Sequence, residues 1–120
     1  MDFAVLKNAD TDAKRIDEDW GSLTWLASAK LGNAEELTVG RVIIKQGCNN
    51  PRHAHPTCEE VLYLIAGTLE HSAGDEVATL NAGDTLTVAA GVFHNAVSTG
   101  DVDADMIVTY SDANRTIEHE

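Results

Sequence analysis

Three scarcities bound this chain before any motif is considered. Basic residues are few: eight lysines and arginines stand against twenty aspartates and glutamates, for a formal net charge of −12 at pH 7. A surface of that sign repels phosphate backbones and anionic headgroups, so neither nucleic acid nor a membrane is expected as a partner. The acids are spread along the chain and not gathered in one block, as on a solvated surface. Cysteines number two, Cys48 and Cys58, too few for the four ligands of a zinc ribbon. A disulfide between them is an alternative, but a reducing cytosol favours two free thiols. Cys58 also stands close in sequence to the candidate site described below. Long apolar runs are missing as well. No stretch approaches the roughly 20 residues that span a bilayer, although 43% of the chain is hydrophobic. The opening MDFAVLKNADTDAKR has no basic start followed by an apolar block. No secretory signal is therefore expected, and the cytoplasm is the expected compartment.

Helical periodicity beyond one or two turns is absent, and so are internal repeats. What is present is a series of short β-branched segments punctuated by glycine and aspartate, the pattern of an all-β sandwich or barrel. Strands are predicted over residues 23–27, 38–45, 60–66, 68–72, 77–80, 85–88, 92–97 and 106–110. Another strand is predicted to start at the histidines just after Pro51, because proline interrupts regular pairing. A chain of 120 residues predicts a single domain. Residues 1–19 are expected to form an N-terminal arm that wraps the barrel or pairs with another subunit. Residues 20–111 would be the barrel and 112–120 a polar tail. Trp25 is expected to anchor the core.

The chemistry concentrates in residues 47–67, GCNNPRHAHPTCEEVLYLIAG. In an extended segment residues i and i+2 share a face, so His53 and His55 can aim both imidazoles at one point. Glu60 opens the next strand and shares its face with Leu62 and Leu64, while Val61, Tyr63 and Ile65 take the other. His94, within AAGVFHNAV, is a fourth candidate. Imidazoles and a carboxylate are ligands for a divalent transition metal: iron, manganese, nickel, cobalt or zinc. Four protein ligands on an octahedral ion leave two positions for water, oxygen or a bidentate substrate. Affinity should fall on acidification, because the imidazoles must be neutral. His71 is read as structural and His119 as a surface residue. Tyr110 and Arg41 are candidate pocket residues, each equally able to face solvent or an interface, and no catalytic base is assigned.

These spacings resemble the cupin superfamily. Its first motif, G-x5-H-x-H-x3,4-E-x6-G, is matched at every position by Gly47, His53, His55, Glu60 and Gly67. Its second, G-x5-P-x-G-x2-H-x3-N, is matched by Gly83, Gly91 and His94, with Ala89 at the proline position and Ser98 at the asparagine position. The resemblance implies a jelly-roll β-barrel with His53, His55, Glu60 and His94 around one metal. It also implies a homodimer and a small-molecule ligand or substrate. Cupin relatives include dioxygenases, sugar isomerases, decarboxylases and lyases. Oxygenase-type chemistry is the expectation here, since it needs the fewest protein groups. The alternative is a non-catalytic module that binds or senses a sugar or carboxylate.

Overall fold

The structure is a computed structural model describing residues 2–120. One short helix, α1 (Asn8–Asp12), precedes eleven strands: β1 (Ile16–Glu18), β2 (Gly21–Ala27), β3 (Thr38–Ile44), β4 (His53–Ala54), β5 (Glu60–Ala66), β6 (Thr68–Ala73), β7 (Glu76–Asn81), β8 (Thr85–Val88), β9 (His94–Ser98), β10 (Ala104–Tyr110) and β11 (Glu118–His119). They form two antiparallel sheets, ordered β1-β2-β3-β10-β5-β8 and β11-β4-β9-β6-β7. The expected all-β jelly roll is present. Each sheet keeps its own edges, so the two form a sandwich and not a closed cylinder.

Alternation along the strands decides what the sandwich encloses. On β5, Glu60, Leu62 and Leu64 are buried while Val61, Tyr63 and Ile65 are exposed. Strand β10 lies between β3 and β5, placing Met106 opposite Val42 and Leu64, and Val108 opposite Gly40 and Leu62. Val42, Leu62, Leu64, Met106 and Val108 pack with Ile44, Leu69, Leu80 and Ala96 into one core. Burial of their apolar area is the main drive to this arrangement.

Two glycines permit close approaches. Gly67 turns the chain from β5 in one sheet to β6 in the other with φ +89°, and a Cβ there would meet Ala104 Cα at 2.9 Å. A side chain is excluded by conformation and by space. A Cβ on Gly40 would meet the Trp25 ring at 2.7 Å. The bare strand lets the indole lie against it. Trp25 is only partly buried and packs against the core.

The two ends of the chain are more structured than their polar sequences suggest. Strand β1 pairs with β2, extending the chain's own sheet. Residues 112–120, expected as a tail, carry β11, which pairs with β4. The Ala29 amide donates to the Ala113 carbonyl at 3.0 Å, and the Thr38 hydroxyl donates to the Asp112 carbonyl at 2.7 Å. Strand pairing and hydrogen bonds to backbone carbonyls need no apolar side chains, so the pattern of hydrophobic residues does not reveal them. Among the described residues no helix is long and apolar enough to cross a membrane.

Candidate metal centre

Strand register brings the site together from both sheets. His53 on β4 lies directly opposite His94 on β9. Glu60 faces them from β5, with Tyr110 beside it on β10. His55 follows β4 and is held by its own backbone, whose carbonyl accepts from the Gly91 amide at 3.0 Å. One ligand atom from each of His53, His55, Glu60 and His94 falls within 4.8 Å of the other three. His55, Glu60 and His94 are almost fully buried, and His53 is partly so.

The hydrogen bonds set the tautomers. His53 Nδ1 donates to the Pro51 carbonyl at 2.7 Å, His55 Nδ1 to the Thr116 carbonyl at 3.0 Å, and His94 Nδ1 to the Val92 carbonyl at 2.9 Å. A carbonyl can only accept, so the proton resides on Nδ1 in all three rings. In its neutral form each ring then has its lone pair on Nε2, the arrangement that outer partners impose on metal-binding histidines. Glu60 Oε1 lies 3.2 Å from Nε2 of both His55 and His94. The contact to His94 is aligned as a hydrogen bond, which, with Nδ1 already donating to Val92 and Glu60 ionised, requires a second proton on His94 Nε2 that a bound metal would displace. The contact to His55 is not, and His55 Nε2 remains a buried polar atom without a partner. An orphaned imidazole nitrogen beside a carboxylate fits a divalent metal and is costly without one.

Ionisation follows from the same geometry. Burial would push the Glu60 carboxyl up, but the His55 and His94 rings against it more than reverse this and hold it below the usual carboxylate range. Burial pushes His94 down, yet Glu60 leaves it raised overall. Burial, with His94 as neighbour, lowers both His53 and His71 to about 4. The Tyr110 hydroxyl is pushed well up, first by burial and then by the Glu60 charge.

The centre opens into a cavity of about 380 Å³ between the sheets. Its walls include Leu23, Val42, Leu62, Met106 and Val108, with Trp25, Tyr110, Arg115 and His71 among them. Tyr110 meets the His55 ring edge-on at 4.7 Å. Of the two candidate pocket residues, Tyr110 is therefore in the cavity. Arg41 is not; it pairs with Asp105 at 2.7 Å on the exposed face of the sheet. Cys48 and Cys58 are free thiols, and Cys58 is buried in the core instead of lining the cavity.

His71 and Arg115 were not legible as cavity residues. His71 is 3% exposed, stacks on His94 with ring centroids 5.7 Å apart, and has an unpartnered Nδ1. Its even spacing from Leu69, a core residue of the same strand, was the available signal, since both must face inward. Arg115 had none, because it belongs to a polar segment with no periodicity. His119 is exposed, as expected, but it stands opposite His53 across β11 and β4 at the cavity rim.

Comparison with known proteins agrees with this geometry. The sequence pattern of the family described as Cupin domain matches residues 40–110. Germin-like protein 3-8 of Oryza sativa subsp. japonica is 30% identical over 84 residues, 66% of this chain and 37% of that protein. Among solved structures, the formate complex of Lactobacillus farciminis oxalate decarboxylase superposes with a TM-score of 0.82 at 17% identity, covering 88% of this chain and 32% of that one. Bacillus subtilis oxalate decarboxylase, in a structure concerned with its Mn(II) centres, superposes with a TM-score of 0.80 at 19% identity, covering 88% and 29%. The chain thus spans about a third of the length of each of these proteins.

Proposed function

The chain belongs to the Cupin domain family, and on that premise we propose that it is a single-domain metalloprotein that presents a divalent transition metal to a small organic molecule. His53, His55, Glu60 and His94 would hold the ion. One observation carries this reading: three backbone carbonyls take the Nδ1 protons, leaving three Nε2 atoms beside one buried carboxylate. Manganese is the first ion to test, given the Mn(II) centres of the Bacillus subtilis oxalate decarboxylase of similar fold.

An ion bound there would polarise a substrate oxygen and, if redox-active, support oxygen-dependent chemistry. The protein's own contribution is to bind and orient. Glu60 stays ionised at neutral pH, while burial keeps the Tyr110 proton in place. Tyr110 can therefore donate a hydrogen bond but is not a base. The apolar walls exclude water and strengthen every charge interaction inside.

The test is to load the protein anaerobically with manganese or ferrous iron and admit air. Oxygen uptake and product masses are then followed with a panel of small carboxylic acids and diols. Turnover lost on replacing Glu60 establishes oxygenase-type or decarboxylating chemistry. Tight ligand retention without turnover establishes the second reading, a binding or sensing module. That second reading is supported by the cavity walls, Leu23, Val42, Leu62, Met106 and Val108, which can hold an organic body without reacting with it.

A cytoplasmic location is supported by the two free thiols, which suit a reducing compartment. A homodimer is supported by the exposed Val61, Tyr63 and Ile65 on the outer face of β5, an apolar stripe that a second copy would cover.

A further inference from the structure

Four arginines occur in the chain. Arg15 pairs with Asp12 and Asp17, Arg41 with Asp105, and Arg52 with Glu120. Arg115 has no ion pair among the described residues, in a chain where acidic residues outnumber basic ones by twenty to eight. It is also the arginine that lines the cavity of the metal centre.

Its surroundings are built. The guanidinium carbon lies 4.4 Å from the Trp25 ring centroid and 5.3 Å from that of Tyr110. Aromatic contact of this kind holds the flat face of a guanidinium and leaves its in-plane N–H groups for another acceptor. Trp25 is itself set by Gly40, whose missing Cβ makes room for the indole. Tyr110 touches Arg115 on one side and the His55 ring, at 4.7 Å, on the other. About one aromatic ring therefore separates the cation from the candidate metal ligands. Leu23, Val42, Leu62, Met106 and Val108 give the cavity its apolar walls. A second unpartnered group faces the same space: His71 lines the cavity and its buried Nδ1 has no hydrogen-bond partner.

We propose that Arg115 binds the carboxylate of a small organic acid with an apolar body, whose other end lies at the His53, His55, Glu60 and His94 centre. The inference rests on the reading of the cavity as a small-molecule site and adds the class of molecule. A planar N–H fork matches a carboxylate, and one cation balances one negative charge. The apolar walls favour a body of ring or short-chain size over a bare dianion, which would leave them against water. His71 supplies a hydrogen-bonding group for a polar substituent on that body.

The test compares benzoate with benzamide, and hexanoate with hexanamide. Binding is followed by calorimetry and by tryptophan fluorescence, on the manganese-loaded and the metal-free protein. The wild type should bind the acids at least about tenfold more tightly than the amides. Arg115→Gln should weaken the acids by about tenfold, leave the amides unchanged, and retain the wild-type manganese content. Arg115→Lys, which keeps the charge but not the fork, should fall between them, and it serves as the test if the glutamine variant does not fold. Equal binding of acid and amide by the wild type, binding of neither, or an acid preference that survives Arg115→Gln would overturn the proposal. A wild type that takes up no manganese would instead overturn the metal reading, while its acid preference would still decide the role of Arg115.

Discussion

His55 Nδ1 donates its proton to the carbonyl of Thr116, 3.0 Å away in space and 61 residues away in sequence. A buried ligand ring is thus oriented by the end of the chain, through a backbone atom that no side-chain substitution removes. Deleting residues 113–120 should lower manganese affinity by about 10–100-fold, the usual cost of losing the outer partner of a ligating histidine. Calorimetric titration checks this, with circular dichroism to confirm the β fold. Unchanged affinity would mean that Thr116 does not orient the ring.

Glu60→Gln keeps the shape of the side chain and removes its charge. Metal retained after dialysis, measured by elemental analysis, should drop well below one ion per chain. In the metal-free variant the His94 titration followed by NMR should move down, because Glu60 is what raises it against the effect of burial. A His94 titration unmoved by the substitution would show that the Glu60 contact does not govern its charge.

Acid should destabilise the metal-free protein. His53 and His71 are lowered to about 4 when folded, against 6.5 for an ordinary histidine. Between those values the unfolded chain binds more protons, so their stabilisation is complete above about 6.5 and is lost as pH falls towards 4. His94, raised by Glu60, acts in the opposite sense: its contribution is present below the ordinary histidine value and is lost as pH rises through its folded one. Two groups outweigh one, and Tm in chelator should fall by more than about 5 °C from pH 7 to pH 4. Melting curves that overlay across this range would contradict the assignment of His53 and His71 as neutral buried rings.

Leu64 is fully buried opposite Met106. Leu64→Ala should cost about 2–5 kcal/mol by urea denaturation, through lost transfer energy and the cavity left behind. Val77→Thr, at a site 61% exposed, should change stability by less than about 0.5 kcal/mol. Similar losses at the two sites would mean that the inner and outer faces are misassigned.

The exposed stripe of Val61, Tyr63 and Ile65 gives a test of assembly. Light scattering should report twice the 12.9 kDa chain mass for the wild type. Tyr63→Asp should shift it to the monomer without changing metal content, since this side chain points away from the centre. A wild-type monomer at high concentration would remove the dimer reading.

Legibility in the sequence followed the range of the interaction. The face of a strand is set by its period of two, so the burial of Glu60, Leu62 and Leu64 could be read from seven consecutive residues. The ligand set was readable too, because Gly47, His53, His55, Glu60 and Gly67, with Gly83, Gly91 and His94 downstream, stand at spacings that resemble the two cupin motifs. Arg41 and Tyr110 show the limit. Both stood as pocket candidates, yet one lies on the outer face of β3 and the other on the inner face of β10. A one-residue difference in register exchanges those faces.

By itself the amino-acid order determined which segments extend, which side of each strand turns inward, and which four side chains can share an ion. The first two arise within a few residues of backbone, whereas the third was read from a motif spacing, since His94 lies 34 residues beyond Glu60 and on the other sheet. Only the tertiary structure decided that the polar end of the chain returns over the cavity, that Thr116 holds His55, and that Arg115 comes to rest on Trp25 and Tyr110. These contacts join residues far apart in the chain through carbonyls and ring faces, groups with no hydrophobic period to announce them.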